Sequence, residues 1–243
     1  MRDYKIITLK ECESSNSFLK DRVDVFSPFT VLRCLNQTSG RGRWGRKWFS
    51  EEGKSLTFSI LFPVFKSDDF IRYPVAVASS VMKTFAEYEL KSSFLWPNDV
   101  YLKNKKICGI LNESITRGEK SFFISGVGIN VNLVKEDFPE PLMDKSISLK
   151  MILQKEVKVS DVFEVFLKKL KRELDVSVES ILLFLKRNSL IKKGEKVKIR
   201  LREKEFLGKF AGFTEDFKII VNNGKELVEF YDGEVLRVGN SDN

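Results

Sequence analysis

Gly40-Arg41-Gly42-Arg43-Trp44-Gly45-Arg46-Lys47-Trp48 is the stretch on which the reading of the whole chain turns. Within nine residues it gathers four bases, three glycines and two tryptophans, with no acid. Composition alone leaves two readings open. Arg/Gly segments with interleaved aromatics bind nucleic acid without sequence preference. Alternatively, glycines let backbone N–H groups approach a phosphate while guanidinium forks neutralise its oxygens, which makes an anion-binding loop.

The flanks place this loop between elements of regular structure. Upstream, Tyr4 to Leu9 alternates as a strand, and Ser14-Ser15-Asn16 is an N-cap cluster for a helix running through Phe18, Leu19 and Val23. Phe29 to Leu35 is β-rich and leads into the loop. Downstream, Leu56 to Phe62 reads as a strand closed by Pro63, and Ile71, Val75, Ala78, Val81, Met82 and Phe85 fall at helical spacing within Asp69 to Leu90. Short strands follow from Phe94 to Val131, broken by Lys103-Asn104-Lys105 and by Gly118. Val159 to Leu185 reads as one amphipathic helix, with Phe163, Phe166, Leu170 and Leu174 on its apolar side. After Asn188 the pattern changes: Glu195 to Leu201 alternates strictly, and four more short β-segments continue to Val238. The expectation is an α+β fold, with a mixed-sheet domain over residues 1–189 and a small SH3-like β-barrel over residues 190–243.

Composition narrows the chemistry. The 243 residues are 42% hydrophobic and include 21 Phe, enough to build a core. There is no histidine, so a Ser/His/Asp triad, a His-ligated zinc site and a histidine general base are excluded. Cys12, Cys34 and Cys108 form no paired framework, which fits a reducing cytoplasm. No apolar run is long enough for a membrane span, and the N-terminus lacks the pattern of a signal peptide. From Ile191 onward there are 11 bases and 10 acids, so +7 of the net +8 lies in the first 190 residues.

Four segments carry a resemblance. They are Ser14-Ser15-Asn16, then Gln37-Thr38-Ser39 with the loop to Trp48, then Trp96-Pro97-Asn98-Asp99 with Lys106-Ile107-Cys108-Gly109 downstream, and finally Gly126-Val127-Gly128-Ile129-Asn130. In this order and spacing the chain resembles the biotin protein ligases from about Tyr4 to Val238. The resemblance implies a catalytic domain of the biotin/lipoyl ligase type and an SH3-like C-terminal domain. Its activity would join biotin and ATP, with Mg²⁺, into biotinyl-5′-AMP and pyrophosphate, then pass biotin to a lysine of the biotin carboxyl carrier protein. A homodimer formed through sheet edges is compatible with it. The chain begins directly on the first strand of the catalytic domain, so DNA binding of the repressor type is not expected.

By resemblance, Ser14, Ser15 and Gln37 would surround biotin's ureido ring, with help from the backbone of Gly40 and Arg41; for the two serines, helix capping is the plainer role and is compatible with this one. Gly109 would let the backbone approach the ligand closely, and Leu111 would line the biotin tail. Arg43 would reach the carboxylate and α-phosphate, Lys106 would contact phosphate and carbonyl, and Asp99 would either orient the carrier lysine or serve as a buried carboxylate paired with an Arg or Lys. Arg46, Trp48, Asn98 and Asn130, with Arg43 and Lys106, would hold the nucleotide. The family usually has Lys directly before Trp-Pro-Asn-Asp; here it is Leu95, so no phosphate role is carried over to that position. A lipoate-type ligase and a nucleic-acid-binding module remain the alternatives at this point. The first normally uses a His that this chain lacks, and the second leaves the spacing of Gln37, Asn98, Lys106 and Asn130 without a reason.

Overall fold

Strand Ser55–Val64 is buried at nine of its ten positions, as a strand must be when both faces of its sheet are covered. In the computed structural model, which describes residues 4–202 and 204–238, this strand is β3, the third of seven. The others are β1 (Lys5–Cys12), β2 (Thr30–Gln37), β4 (Ser93–Leu95), β5 (Asp99–Leu102), β6 (Lys105–Arg117) and β7 (Lys120–Asn130). They are ordered β1-β2-β3-β7-β6-β5-β4. Only β1 and β2 are parallel, and helix α1 (Ser15–Lys20) lies in the connection such a pair requires. The mixed sheet expected from the sequence is present.

Alternation along β3 sorts its side chains. Leu56, Phe58, Ile60 and Phe62 join the main core with α2 (Asp69–Ala86) and α5 (Val159–Glu173). Leu61, on the opposite side, joins Leu19, Val23, Leu32 and Ile124 beneath α1. Phe58 lies 5.1 Å from Phe163 and 4.8 Å from Phe166, centroid to centroid. Buried Glu173 ties α5 to α2 by accepting from Ser79 Oγ and Lys83 Nζ, both at 2.5 Å.

Several boundaries differ from the sequence reading. Pro63 does not close β3; the strand runs on to Val64, with Pro63 opposite Phe122 of β7. Its missing N–H is tolerated because the pairing of β3 with β2 has already ended at Ile60. Helix α1 stops at Lys20, and Val23 reaches the core from the turn that follows. The single helix expected over Val159 to Leu185 is two, α5 and α6 (Val178–Arg187). Ser177 restarts the second by accepting from Ser180 N at 3.3 Å. Both helices face the same core, so the apolar stripe runs across a break that periodicity does not register. The short helices α3 (Glu140–Met143) and α4 (Leu149–Leu153) have too few turns to leave a periodic signal.

The C-terminal residues form a five-stranded antiparallel sheet, β8 (Lys196–Leu201), β9 (Lys204–Phe213), β10 (Ile219–Asn222), β11 (Leu227–Phe230) and β12 (Glu234–Arg237), ordered β11-β10-β9-β8-β12. Among the described residues no ladder joins β11 to β12, so in hydrogen bonding this is an open sheet where the sequence suggested a barrel. It is fastened to the first sheet. Leu190, Val197, Phe210 and Phe217 belong to the same core as Phe94 and Trp96, and Trp96 Nε1 donates to Phe217 O at 2.8 Å. No described helix is long and apolar enough to cross a membrane.

Because Phe166 of α5 is fully buried against Phe58, Phe166→Ala should lower unfolding stability by about 3–5 kcal/mol. Urea unfolding at 25 °C measures this, and a loss under about 1 kcal/mol would mean the site collapses around the smaller side chain.

Candidate active site

Strand pairing brings together glycines that are far apart in sequence. Gly109 on β6 lies opposite Gly128 on β7, and Leu111 lies opposite Gly126. With no side chains to rise from these positions, the sheet is hollowed into a cavity of about 360 Å³. The loop Arg41 to Phe49 covers one side, Phe138 to Ser146 another, and Glu234 to Leu236 of β12 a third. The indole of Trp48 rests on the glycine pair: a Cβ on Gly109 would stand 2.8 Å from Trp48 Cζ3, and one on Gly128 would be closer still. Gly109 was expected to admit a ligand; in this structure the close approach is made by Trp48. The indole Nε1 is buried and has no hydrogen-bond partner.

The loop itself is ordered by its own backbone. Gly42 N donates to Arg46 O at 2.7 Å and Trp48 N donates to Gly40 O at 2.8 Å. Its tip turns through Trp44 (φ 55°) and Gly45 (φ 76°). The left-handed conformation is costly for Trp, and the Arg43 and Arg46 guanidiniums sit 4.9 and 5.7 Å from the Trp44 ring centroid.

One end of the cavity is lined by neutral polar groups. Gln37 Oε1 accepts from Ser15 N at 2.7 Å and from Ser15 Oγ at 3.1 Å. Ser59 Oγ lies 2.7 Å from Ser15 Oγ and 2.5 Å from Asn16 Oδ1. Asn16 Nδ2 donates to Leu111 O at 3.1 Å and to Glu113 Oε2 at 3.0 Å. Arg41 borders this end, with Nη1 3.2 Å from Ser17 Oγ and 3.7 Å from Glu113 Oε1. Ser14 occupies the N-cap position of α1, but its side chain makes no cap hydrogen bond. The side-chain capping role therefore falls away, and Ser14 borders the cavity.

The other end is ionic. Lys106 Nζ is 2.7 Å from Asp99 Oδ2, while Asp99 Oδ1 is buried without a hydrogen-bond partner. The backbone of Lys106 is clamped by Lys145 O at 2.8 Å and by Ile147 N at 3.0 Å, so the base of the side chain is fixed. Arg43 Nη1 donates to Asn98 Oδ1 at 3.2 Å and to Gly233 O at 3.0 Å, and Nη2 pairs with Asp232. Arg46 makes a two-pronged pair with Glu234, at 2.6 and 2.5 Å. Hydrogen bonding to Arg46 holds the Glu234 carboxyl below its usual range, and the same contact raises Arg46. Burial pushes the Tyr101 hydroxyl and the Cys108 thiol well up, so both stay neutral beside this cluster.

Of the residues singled out in the sequence, Ser14, Ser15, Gln37, Arg41, Arg43, Arg46, Trp48, Asn98, Asp99, Lys106, Gly109, Leu111 and Asn130 all border the one cavity. Gly40 does not line it and acts through the backbone: a Cβ there would meet Trp48 O at 2.5 Å. Asn130 borders the cavity but spends its amide on Ile147 O at 3.1 Å and Lys106 O at 3.5 Å. Leu95, where the family usually has Lys, is a buried part of the wall. Sequence reading assigned no role to Ser59, Asp232 or Glu234. Ser59 sits inside an apolar strand, Glu234 opens β12 and Asp232 lies in the turn before it, so neither local pattern nor motif pointed to them.

Comparison with known proteins agrees with this arrangement. The model of the biotin/lipoate A/B protein ligase family matches residues 15–130. The bifunctional ligase/repressor BirA of Bacillus subtilis (strain 168) is 27% identical over 212 residues, covering 85% of this chain and 65% of the relative. The protein of the same name from Bacillus spizizenii is 34% identical over 125 residues, covering 49% of this chain and 38% of the relative. The match thus spans less than two thirds of either relative. A biotin protein ligase from Aquifex aeolicus, solved in complex with biotin and ATP, superposes with a TM-score of 0.80 at 32% identity, covering 96% of this chain and 97% of that one. With near-complete coverage at that identity, on a sheet whose paired glycines floor a cavity between a polar and a cationic end, the chain belongs to the biotin protein ligase family.

Proposed function

We propose that this chain joins biotin to ATP as biotinyl-5′-AMP, releasing pyrophosphate, and then transfers biotin to a lysine of a biotin carboxyl carrier protein. The observation that carries the reading is the polarity of the cavity. A neutral donor–acceptor set, Ser15, Asn16 and Gln37, stands at one end, and Arg43 and Lys106 stand at the other. A ureido ring needs the first and a carboxylate meeting a phosphate needs the second. Residues 1–189 would carry this site, with residues 190–243 contributing the acids that contact its loop. Three free cysteines fit a cytoplasmic setting.

In the first step a carboxylate oxygen of biotin attacks the α-phosphorus and pyrophosphate leaves. The nucleophile is already ionised, so no base is needed, in keeping with a chain that has no histidine. What the step requires is fixed positive charge at the phosphate. Lys106 supplies it from a clamped backbone, and Arg43 supplies it from the loop. ATP enters as its Mg²⁺ complex, with the ion carried by the phosphates as part of the substrate. Arg46, Trp48 and Asn98 border the nucleotide's portion of the cavity, while Asn130 holds the strand that bears Lys106. In the second step the carrier lysine, as the free amine, attacks the acyl carbon and AMP departs. Asp99 Oδ1, buried and unpartnered, is the acceptor that would orient that amine and receive its N–H.

Incubation with α-labelled ATP, Mg²⁺ and either biotin or lipoate tests the reading. A labelled adenylate with biotin supports it; one formed with lipoate alone would transfer the chain to lipoate chemistry. Lys106→Ala should slow adenylate formation by roughly 10²–10³, the size measured for removal of one positioned donor. Near-normal pyrophosphate release would remove Lys106 from the chemistry. Arg43→Ala should instead speed escape of biotinyl-5′-AMP by roughly tenfold or more, the worth of a charged hydrogen bond. Indiscriminate labelling of bystander lysines reports that escape, and unchanged adenylate dissociation would contradict it.

A further inference from the structure

Arg43 is held by a carboxylate that lies 189 positions further along the chain. Its guanidinium has three acceptors: Asp232, Gly233 O at 3.0 Å and Asn98 Oδ1 at 3.2 Å. The last two are neutral, so the ion pair with Asp232 is what offsets the charge of Arg43. The neighbouring acid is placed differently. Glu234 is shared between Arg46 and Arg200, the latter at 3.4 Å, and so remains compensated if one partner turns away. Among the described residues, Arg43 is the cation with which Asp232 pairs. The pair is half open to solvent, with side-chain exposures of 21% for Arg43 and 49% for Asp232, so it can be exchanged without burying a lone charge.

An anion that enters the cavity and reaches Arg43 meets a guanidinium already occupied by a carboxylate of the same sign. We infer that Asp232 is a positioning residue that acts through Arg43, serving as an internal counter-anion that the nucleotide's phosphate displaces. The inference rests on the reading above in taking the incoming anion to be a nucleoside triphosphate. Before ATP arrives, Asp232 keeps Arg43 aimed at the cavity mouth beside Asn98. Once phosphate binds, the two anions compete for one fork and repel each other, so Asp232 sets nucleotide affinity downward. After transfer, its return to Arg43 favours release of AMP.

The test is direct ATP binding, by calorimetry or by fluorescence of the cavity tryptophans, to the wild-type chain, Asp232→Asn and Asp232→Glu. Asn retains an oxygen that can accept from Nη2 and removes only the charge. At low salt D232N should bind ATP about two- to five-fold more tightly, the range a partly exposed ion pair commands. That gain should shrink in about 0.5 M salt, where exposed charges are screened. D232E should stay close to wild type, and in turnover D232N should lower KM for ATP more than it changes kcat. ATP binding by D232N that is equal to or weaker than wild type overturns the inference, as does a gain insensitive to salt. Tighter, salt-sensitive binding in a protein that forms no biotinyl adenylate would uphold the counter-anion and overturn the ligase reading. Adenylate formation with unchanged ATP affinity would do the reverse.

Discussion

Three positions on neighbouring strands, Gly109, Gly126 and Gly128, carry no Cβ, and the space this leaves is what the rest of the site is built around. A sheet buried on both faces ordinarily fills every position with a side chain, because voids forfeit packing. Here the omission opens a cavity against the sheet and lets a tryptophan lie on backbone. Around Gly126 the same omission admits the buried amide of Asn16, which ties α1 to β6 through Leu111 O and Glu113. A methyl group at any of the three positions would meet these neighbours inside van der Waals contact.

Charge organises the opposite end. The Arg/Gly loop looks in sequence like an unbalanced cationic segment, yet in the folded chain each of its three arginines meets an acid. Arg41 faces Glu113, Arg43 faces Asp232 and Arg46 faces Glu234. One of these acids, Glu234, opens β12 and another, Asp232, lies in the turn before it, so the loop joins the two sheets while it covers the cavity. The +8 of the whole chain therefore says little about the potential inside the site. What matters is how readily a phosphate takes the place of those carboxylates.

Much of the architecture was legible because it rests on local rules. Strict alternation marked β8, helical spacing marked α2, and Lys103-Asn104-Lys105 marked the β5–β6 turn. The helix break at Asp175-Val176-Ser177 was not legible, since α5 and α6 present their apolar faces to one core and the stripe runs through. Pro63 misled for a related reason: whether a missing N–H matters depends on where the neighbouring strand stops, and that is a property of register.

The same division holds for the site. By itself, the sequence determined which chemistry was available: no histidine, a base-rich glycine loop, and the spaced residues Gln37, Asn98, Lys106 and Asn130. These follow from residue identity and local spacing, which folding does not alter. Only the tertiary structure decided which partner each group meets. It placed Asp232 and Glu234 on the loop's arginines, Ser59 beneath Ser15 and Asn16, and Trp48 on the paired glycines. The physical reason is that these contacts depend on strand register and on the packing of two sheets, which bring together residues up to 190 positions apart.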